Sequence, residues 1–126
     1  MKIIYIAHPV GGNITHNLEE IRKITRRLNV TRSDIVPFVP YWIDCHALDD
    51  SVPSERARGI KNNTALFHSG VIHEVWLYGN TISTGMRAEV ALAISLKIPV
   101  IPQTPETERA LRLLFRDYPL QLQKAS

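Results

Sequence analysis

Short apolar runs alternate with amphipathic helical stripes along most of this sequence, and that alternation leaves few folds open. Residues 2–7 form a β-rich run ending at His8-Pro9-Val10-Gly11-Gly12, the pattern of a buried strand followed by a turn. Ile14, Leu18, Ile21, Ile24 and Leu28 then recur at spacings of three and four, one stripe of an amphipathic helix. Residues 34–41 are a second apolar run, broken by Pro37 and Pro40. Proline cannot donate to a ladder, so this run is expected as a short strand near a sheet edge. Residues 42–52 read as a loop with Asp44, Asp49 and Asp50 exposed.

A second helix is expected from about Ser51, as its cap, with Pro53 in the first turn. It runs to about His68, where Gly70 suits the stop. Residues 71–78 read as a third strand, 85–97 as a third helix and 98–101 as a fourth strand. Thr104 caps a last helix, with Pro105 at its first position and Glu106 near its positive end. The order predicts a single-domain, three-layer α/β sandwich over residues 1–126, with 103–126 as a C-terminal helix and tail. Its sheet should be mostly parallel and Rossmann-like, with four to five strands. Such sheets bind ligands outside the carboxyl ends of their strands, which places a site between residues 8–12 and 79–85.

Composition narrows the function classes. Fifteen Lys and Arg against twelve Asp and Glu give a net charge of +3. Arg22, Lys23, Arg26 and Arg27 share one predicted helix with no aromatic residue among them, so a solvated face is expected rather than a nucleic-acid surface. Cys45 is the only cysteine, which excludes an internal disulfide and suits a reducing compartment. No apolar run approaches the roughly 20 residues of a membrane span, and the opening run is too short for a signal peptide. A cytoplasmic protein without membrane contact is expected. Asp44-Cys45-His46 with Asp49-Asp50 carries ligand-type side chains, but no second cluster has zinc or calcium spacing, so no metal is expected.

The segment from Gly85 carries the most chemistry. After Arg87 it reads Ala88-Glu89-Val90-Ala91-Leu92-Ala93-Ile94-Ser95-Leu96, apolar nearly all round, as in a helix buried on the sheet and often against a second subunit. Glu89 is the one carboxylate in this run. A capping box would need Ser or Thr at the position of Met86, so that structural role is closed. A helix-dipole role and a functional role both stay open on position alone.

Tyr5 in the first strand and Ser83-Thr84-Gly85-Met86-Arg87-Ala88-Glu89 after the third resemble the nucleoside 2-deoxyribosyltransferase superfamily, which includes 2'-deoxynucleoside 5'-phosphate N-hydrolases. That signature is a Ser or Asp, a Gly two residues on, and a nucleophilic Glu four residues beyond the Gly, opening a helix after a strand. The likeness of architecture covers roughly residues 1–102. It implies Glu89 as nucleophile toward the anomeric carbon, with the Tyr5 hydroxyl orienting it, and no metal or organic cofactor. A carboxylate there suits the oxocarbenium-like state of glycosidic cleavage.

By the same resemblance Ser83 contacts the sugar or a 5'-phosphate, while an N-cap role for the helix at Gly85 is compatible with that. The loop with His8, Gly11 and Gly12 precedes a helix N-terminus, where backbone N–H groups suit a phosphate; an ordinary turn fits equally well. Arg87 and Arg58 are further candidates for an anionic group. The relatives usually place an Asp on the second helix, but this chain has Asn62-Asn63-Thr64, and Asn63 aligns best. An amide hydrogen-bonds a base or hydroxyl but is no general acid. The proton must then come from elsewhere, such as His8, Asp44 or Asp49, or the protein binds without cleaving.

Two readings follow. One is an enzyme that cleaves the N-glycosidic bond of a nucleoside or nucleoside 5'-monophosphate, by hydrolysis or transfer. The other is a non-catalytic module that holds a nucleotide in the same pocket. A homo-oligomer is expected from the apolar third helix.

Overall fold

Buried peptide groups must be paired, so apolar runs of this length have to join a sheet. The computed structural model describes residues 1–118 and pairs four runs. They are β1 (Lys2–Ala7), β2 (Ile35–Phe38), β3 (Glu74–Leu77) and β4 (Val100–Pro102). All neighbours are parallel, in the order β2-β1-β3-β4. Five helices join them: α1 (Ile14–Thr31), α2 (Tyr41–Ala47), α3 (Pro53–His68), α4 (Thr84–Ser95) and α5 (Pro105–Leu114). This is the α/β sandwich that the alternation predicts. Pro37 lies on β2, at the edge of the sheet, where a missing donor is tolerated.

Side chains alternate across a strand, and here the alternation divides the core into two layers. Ile4 and Ile6 pack with Ile24 and Leu28 of α1, while Tyr5 and Ala7 pack with Phe67 of α3, Val90 of α4 and Leu111 of α5. Each fully buried aliphatic side chain contributes about 1.5–3 kcal/mol of transfer free energy. Leu18, Ile21, Ile24 and Leu28 are buried as the stripe requires, but Ile14 is left 48% exposed at its start. Tyr5 is thereby aimed at the layer that carries α3 and α4.

The chain steps from β1 to β2 on one side and returns to β3 on the other. The order reverses between β1 and β3, and the ligand crevice of such a sheet opens at their carboxyl ends. The two loops there touch. Gly79 has φ +93°, and a Cβ on it would lie 2.7 Å from Pro9 Cδ, so glycine is required on both counts.

Two local expectations need correction. The first concerns residues 42–52, which are not all loop, because α2 spans Tyr41–Ala47. Pro40 adopts helical backbone at its start, Asp44 lies in its first turn and His46 in its last, as the helix dipole favours. Seven residues do not hold a helix unaided. Tyr41 anchors it by donating to the Ile6 carbonyl at 2.5 Å, and Trp42 Nε1 donates to the Leu18 carbonyl at 3.4 Å. Asp44 is accordingly half-buried rather than exposed.

Second, Ser51 does not cap α3. Its N–H and hydroxyl both donate to Asp49 Oδ1, at 3.0 and 2.6 Å, and Val52 occupies the cap position. Tyr118, the last described residue, joins the chain's own fold. Its hydroxyl accepts from Val100 N at 2.6 Å, and its ring packs on the chain's own core.

Gly70, with φ +85°, follows the end of α3, and Thr104 caps α5 through a reciprocal box with Thr107. The basic stretch of α1 is solvated, with Arg22 paired to Glu19 and Lys23 to Glu20. Among the described residues no helix is long and apolar enough to cross a membrane. The tail expected over 119–126 lies outside the described residues.

Candidate active site

Three side chains from three elements meet beneath the crevice. The Tyr5 hydroxyl of β1 donates to Glu89 Oε2 of α4. Asn63 of α3 donates from Nδ2 to the same Oε2 and to the Tyr5 oxygen, both at 2.9 Å. Each is brought there by local rules. Tyr5 points to this layer by strand alternation, and Asn63 sits one helical turn before buried Phe67, whose ring stacks on Tyr5 at 4.8 Å.

Glu89 is the sixth residue of α4, beyond the first turn where the helix dipole acts, and no acid occupies that first turn. The dipole explanation therefore loses its ground. Burial raises the Glu89 carboxyl to about 7, against the opposing hydrogen bonds from Tyr5 and Asn63. Burial, reinforced by the charge of Glu89, holds the Tyr5 hydroxyl well above its ordinary range, so it stays a proton donor. Both hydrogen bonds end on Oε2, and neither uses Oε1. The Asn63 carbonyl Oδ1 is buried and has no hydrogen-bond partner among the described residues.

A cavity of about 680 Å³ lies beside this cluster, enough for a nucleoside-sized molecule. Its walls come from α2, the following loop and α3, closed by Val10 and Ile14 from the other side. This explains why Ile14 is exposed to solvent: it faces the cavity rather than the core. Asn63 is the residue shared by the cavity wall and the hydrogen-bonded cluster. Tyr41 also lines the cavity, with its ring 5.6 Å from that of Tyr5. Glu89 and Tyr5 are not themselves on the cavity wall; Asn63 and Tyr41 connect it to them.

The remaining candidates scatter. His8 is buried, donates from Nδ1 to the Pro9 carbonyl at 2.7 Å and packs beside Gly79, away from the cavity wall. Gly11 and Gly12 form an exposed turn, whose Gly11 carbonyl and the preceding Val10 carbonyl accept from Asn17. Ser83 caps α4, accepting from Met86 N at 3.3 Å. Gly85 lies one turn before Glu89 on the same helix face, and a Cβ there would meet nothing within 4 Å. Arg87 is exposed, and Arg58 is exposed with its Nε on Asn62 Oδ1 at 2.9 Å. None of these seven lines the cavity.

Sequence reasoning missed Tyr41, because it was read as the end of the second strand run and 42–52 as loop, whereas β2 stops at Phe38 and Tyr41 opens α2. Pro40 at the helix entrance and Asp44 in the first turn are the signals that mark it. Among the described residues no group of three or more His, Cys, Asp and Glu is arranged to hold a metal ion.

A family model described as a domain of unknown function, DUF7768, matches residues 2–102, which includes all three members of the cluster. No curated protein and no solved structure matches the chain.

Proposed function

The chain belongs to the DUF7768 family, whose activity has to be read from the site itself, and we propose that it cleaves the N-glycosidic bond of a nucleoside or nucleoside 5'-monophosphate through Glu89. The observation that carries this reading is the Tyr5–Asn63–Glu89 cluster at the carboxyl end of β1, with one carboxylate oxygen tied and the other left for chemistry. The spacing of Ser83, Gly85 and Glu89, which resembles the nucleoside 2-deoxyribosyltransferase superfamily, supports it from the sequence side.

In this mechanism ionised Glu89 attacks the anomeric carbon through Oε1. The bond from that carbon to the base nitrogen breaks, and its electron pair leaves with the base. Water then cleaves the resulting ester in hydrolysis, or a second base does so in transfer, and Glu89 is restored. Tyr5 and Asn63 fix the carboxylate and lower its proton affinity against the effect of burial. The reading carries with it a cytoplasmic setting and a homo-oligomer, for which the exposed Ala88 and Ala91 on α4 offer an outer face.

Asn63 favours a second reading. It stands where a carboxylic acid would protonate the leaving base, so a module that binds without cleaving uses the same cavity. Incubation with a panel of nucleosides and 5'-monophosphates, followed by chromatography, separates the two. Cleavage predicts free base from wild type, none from Glu89→Ala, and a glycosyl adduct on Glu89 by mass spectrometry. Equal ligand binding by both proteins with no base released gives the binding module. No binding at all sinks both.

A further inference from the structure

The cavity is strongly acidic, and this bears on the class of base it accepts. Asp44, Asp49, Asp50 and Glu55 line it, against one guanidinium, Arg56, and one imidazole, His46. Ser51 holds the Asp49 carboxyl below its ordinary range, so that group stays charged. Asp44 spends only Oδ2, accepting from Asn62 at 3.3 Å, and Glu55 spends only Oε1, accepting from Asp49 N at 2.9 Å. The excess charge is negative, and its field acts on whatever enters.

The second observation is independent of that charge. The residue joining cavity to nucleophile is an amide, Asn63, whose Nδ2 donates to Tyr5 and Glu89 and whose Oδ1 is buried with no partner among the described residues. The cluster residue on the cavity wall therefore has no proton to give a leaving base. Tyr5 keeps its proton, and His8 lies outside the wall. A neutral base leaves as an anion unless it is protonated. A base already bound as a cation leaves neutral and needs no acid.

Resting on the glycosidase reading, we infer that this cavity takes an N-glycoside of a cationic aromatic base, a pyridinium-type nucleoside, in preference to nucleosides of neutral bases. The carboxylates attract the ring's positive charge. The step balances without a proton donor. Glu89 Oε1 forms the bond to the anomeric carbon, the carbon–nitrogen bond breaks, and its electron pair neutralises the pyridinium nitrogen. Water cleaves the ester and one proton is released. A 5'-phosphate group is disfavoured at this wall by the same four carboxylates.

The test uses N-ribosylnicotinamide, its uncharged 1,4-dihydro form, and a set of neutral-base nucleosides, all with the intact protein at low ionic strength. Free nicotinamide is expected from the cation with wild type and not with Glu89→Gln, with slower release from neutral-base nucleosides. By calorimetry the cation should bind more tightly than the dihydro form. Asp50→Asn changes an exposed side chain and should weaken cation binding about fivefold, an effect that fades with salt, while leaving the dihydro form unchanged. Release from neutral-base nucleosides with the cation untouched overturns this inference and keeps the glycosidase reading. No release from any nucleoside overturns the glycosidase reading. In that case, equal or absent binding of the cation and its dihydro form overturns the charge preference as well.

Discussion

The Tyr5 hydroxyl donates to Glu89 Oε2 across 84 positions of chain, and Asn63 closes the triangle from a third element. A carboxylate in this position is desolvated, yet held by two donors on one oxygen. Burial raises its proton affinity and the donors lower it, with burial the larger effect. The result is a group that ionises near neutrality, as a carboxylate reserved for chemistry often does.

Glu89 should therefore make stability depend on pH. An ordinary glutamate titrates near about 4.3, and Glu89 titrates at about 7 in the fold. Between those values the folded state holds a proton that the unfolded state has lost, so stability falls as pH rises through the window and levels off above it. Glu89→Gln removes the slope. It should be more stable than wild type at pH 8 by on the order of 3–4 kcal/mol, and equal to it below about pH 4. Urea midpoints at the two pH values check this; a gap of the same size at both contradicts it.

Activity should show the opposite slope. The nucleophile is the ionised form, so kcat/KM should rise through pH 7 to a plateau. Tyr5→Phe deletes a donor that lowers the Glu89 proton affinity, so the midpoint should move up and the plateau fall about tenfold or more. A pH–rate profile of both proteins decides it, and a flat profile from pH 5.5 to 8.5 sinks the assignment.

Two glycines should behave differently. Gly79→Ala combines φ +93° with a Cβ 2.7 Å from Pro9 Cδ and should cost about 1–3 kcal/mol. Gly85→Ala enters open space inside α4 and should be neutral, or stabilising by up to about 1 kcal/mol. A loss of base release in Gly85→Ala without a drop in melting temperature would place ligand against that face of the helix. A large drop in melting temperature for Gly85→Ala contradicts the open-space geometry.

Asn63→Asp tests what the amide withholds. A carboxyl at this position sits within hydrogen-bond reach of Oε2, and two such groups share a proton. Release from neutral-base nucleosides should rise relative to the pyridinium nucleoside, by as much as about 10²-fold, because a general acid is restored. An unchanged ratio of the two rates argues that protonation of the base does not limit the reaction.

Much of the fold was legible because its rules are local. The β1 run, the α1 stripe, Pro37 on the edge strand, Gly70 after α3 and the Thr104 cap each follow from neighbours within a few residues. The α2 helix was not, because its stability is not its own: Tyr41 and Trp42 anchor it through carbonyls of Ile6 and Leu18. Ser51 misled for a related reason. Asp49 competes for both its hydrogen bonds, and that contest is settled by the loop's shape.

The site divides in the same way. Sequence alone determined that Glu89 is the lone acid of an apolar helix, spaced from Ser83 and Gly85, and that Tyr5 lies on the first strand. It also showed an amide at Asn63. Only the tertiary structure decided that these three share hydrogen bonds, while His8, the glycine turn and both arginines stand apart. The reason is physical: periodicity assigns a side chain to a face, but contact between faces depends on how strands are ordered and how helices pack. The order β2-β1-β3-β4 sets α3 and α4 over the same face of β1, and that places Asn63 and Glu89 at Tyr5.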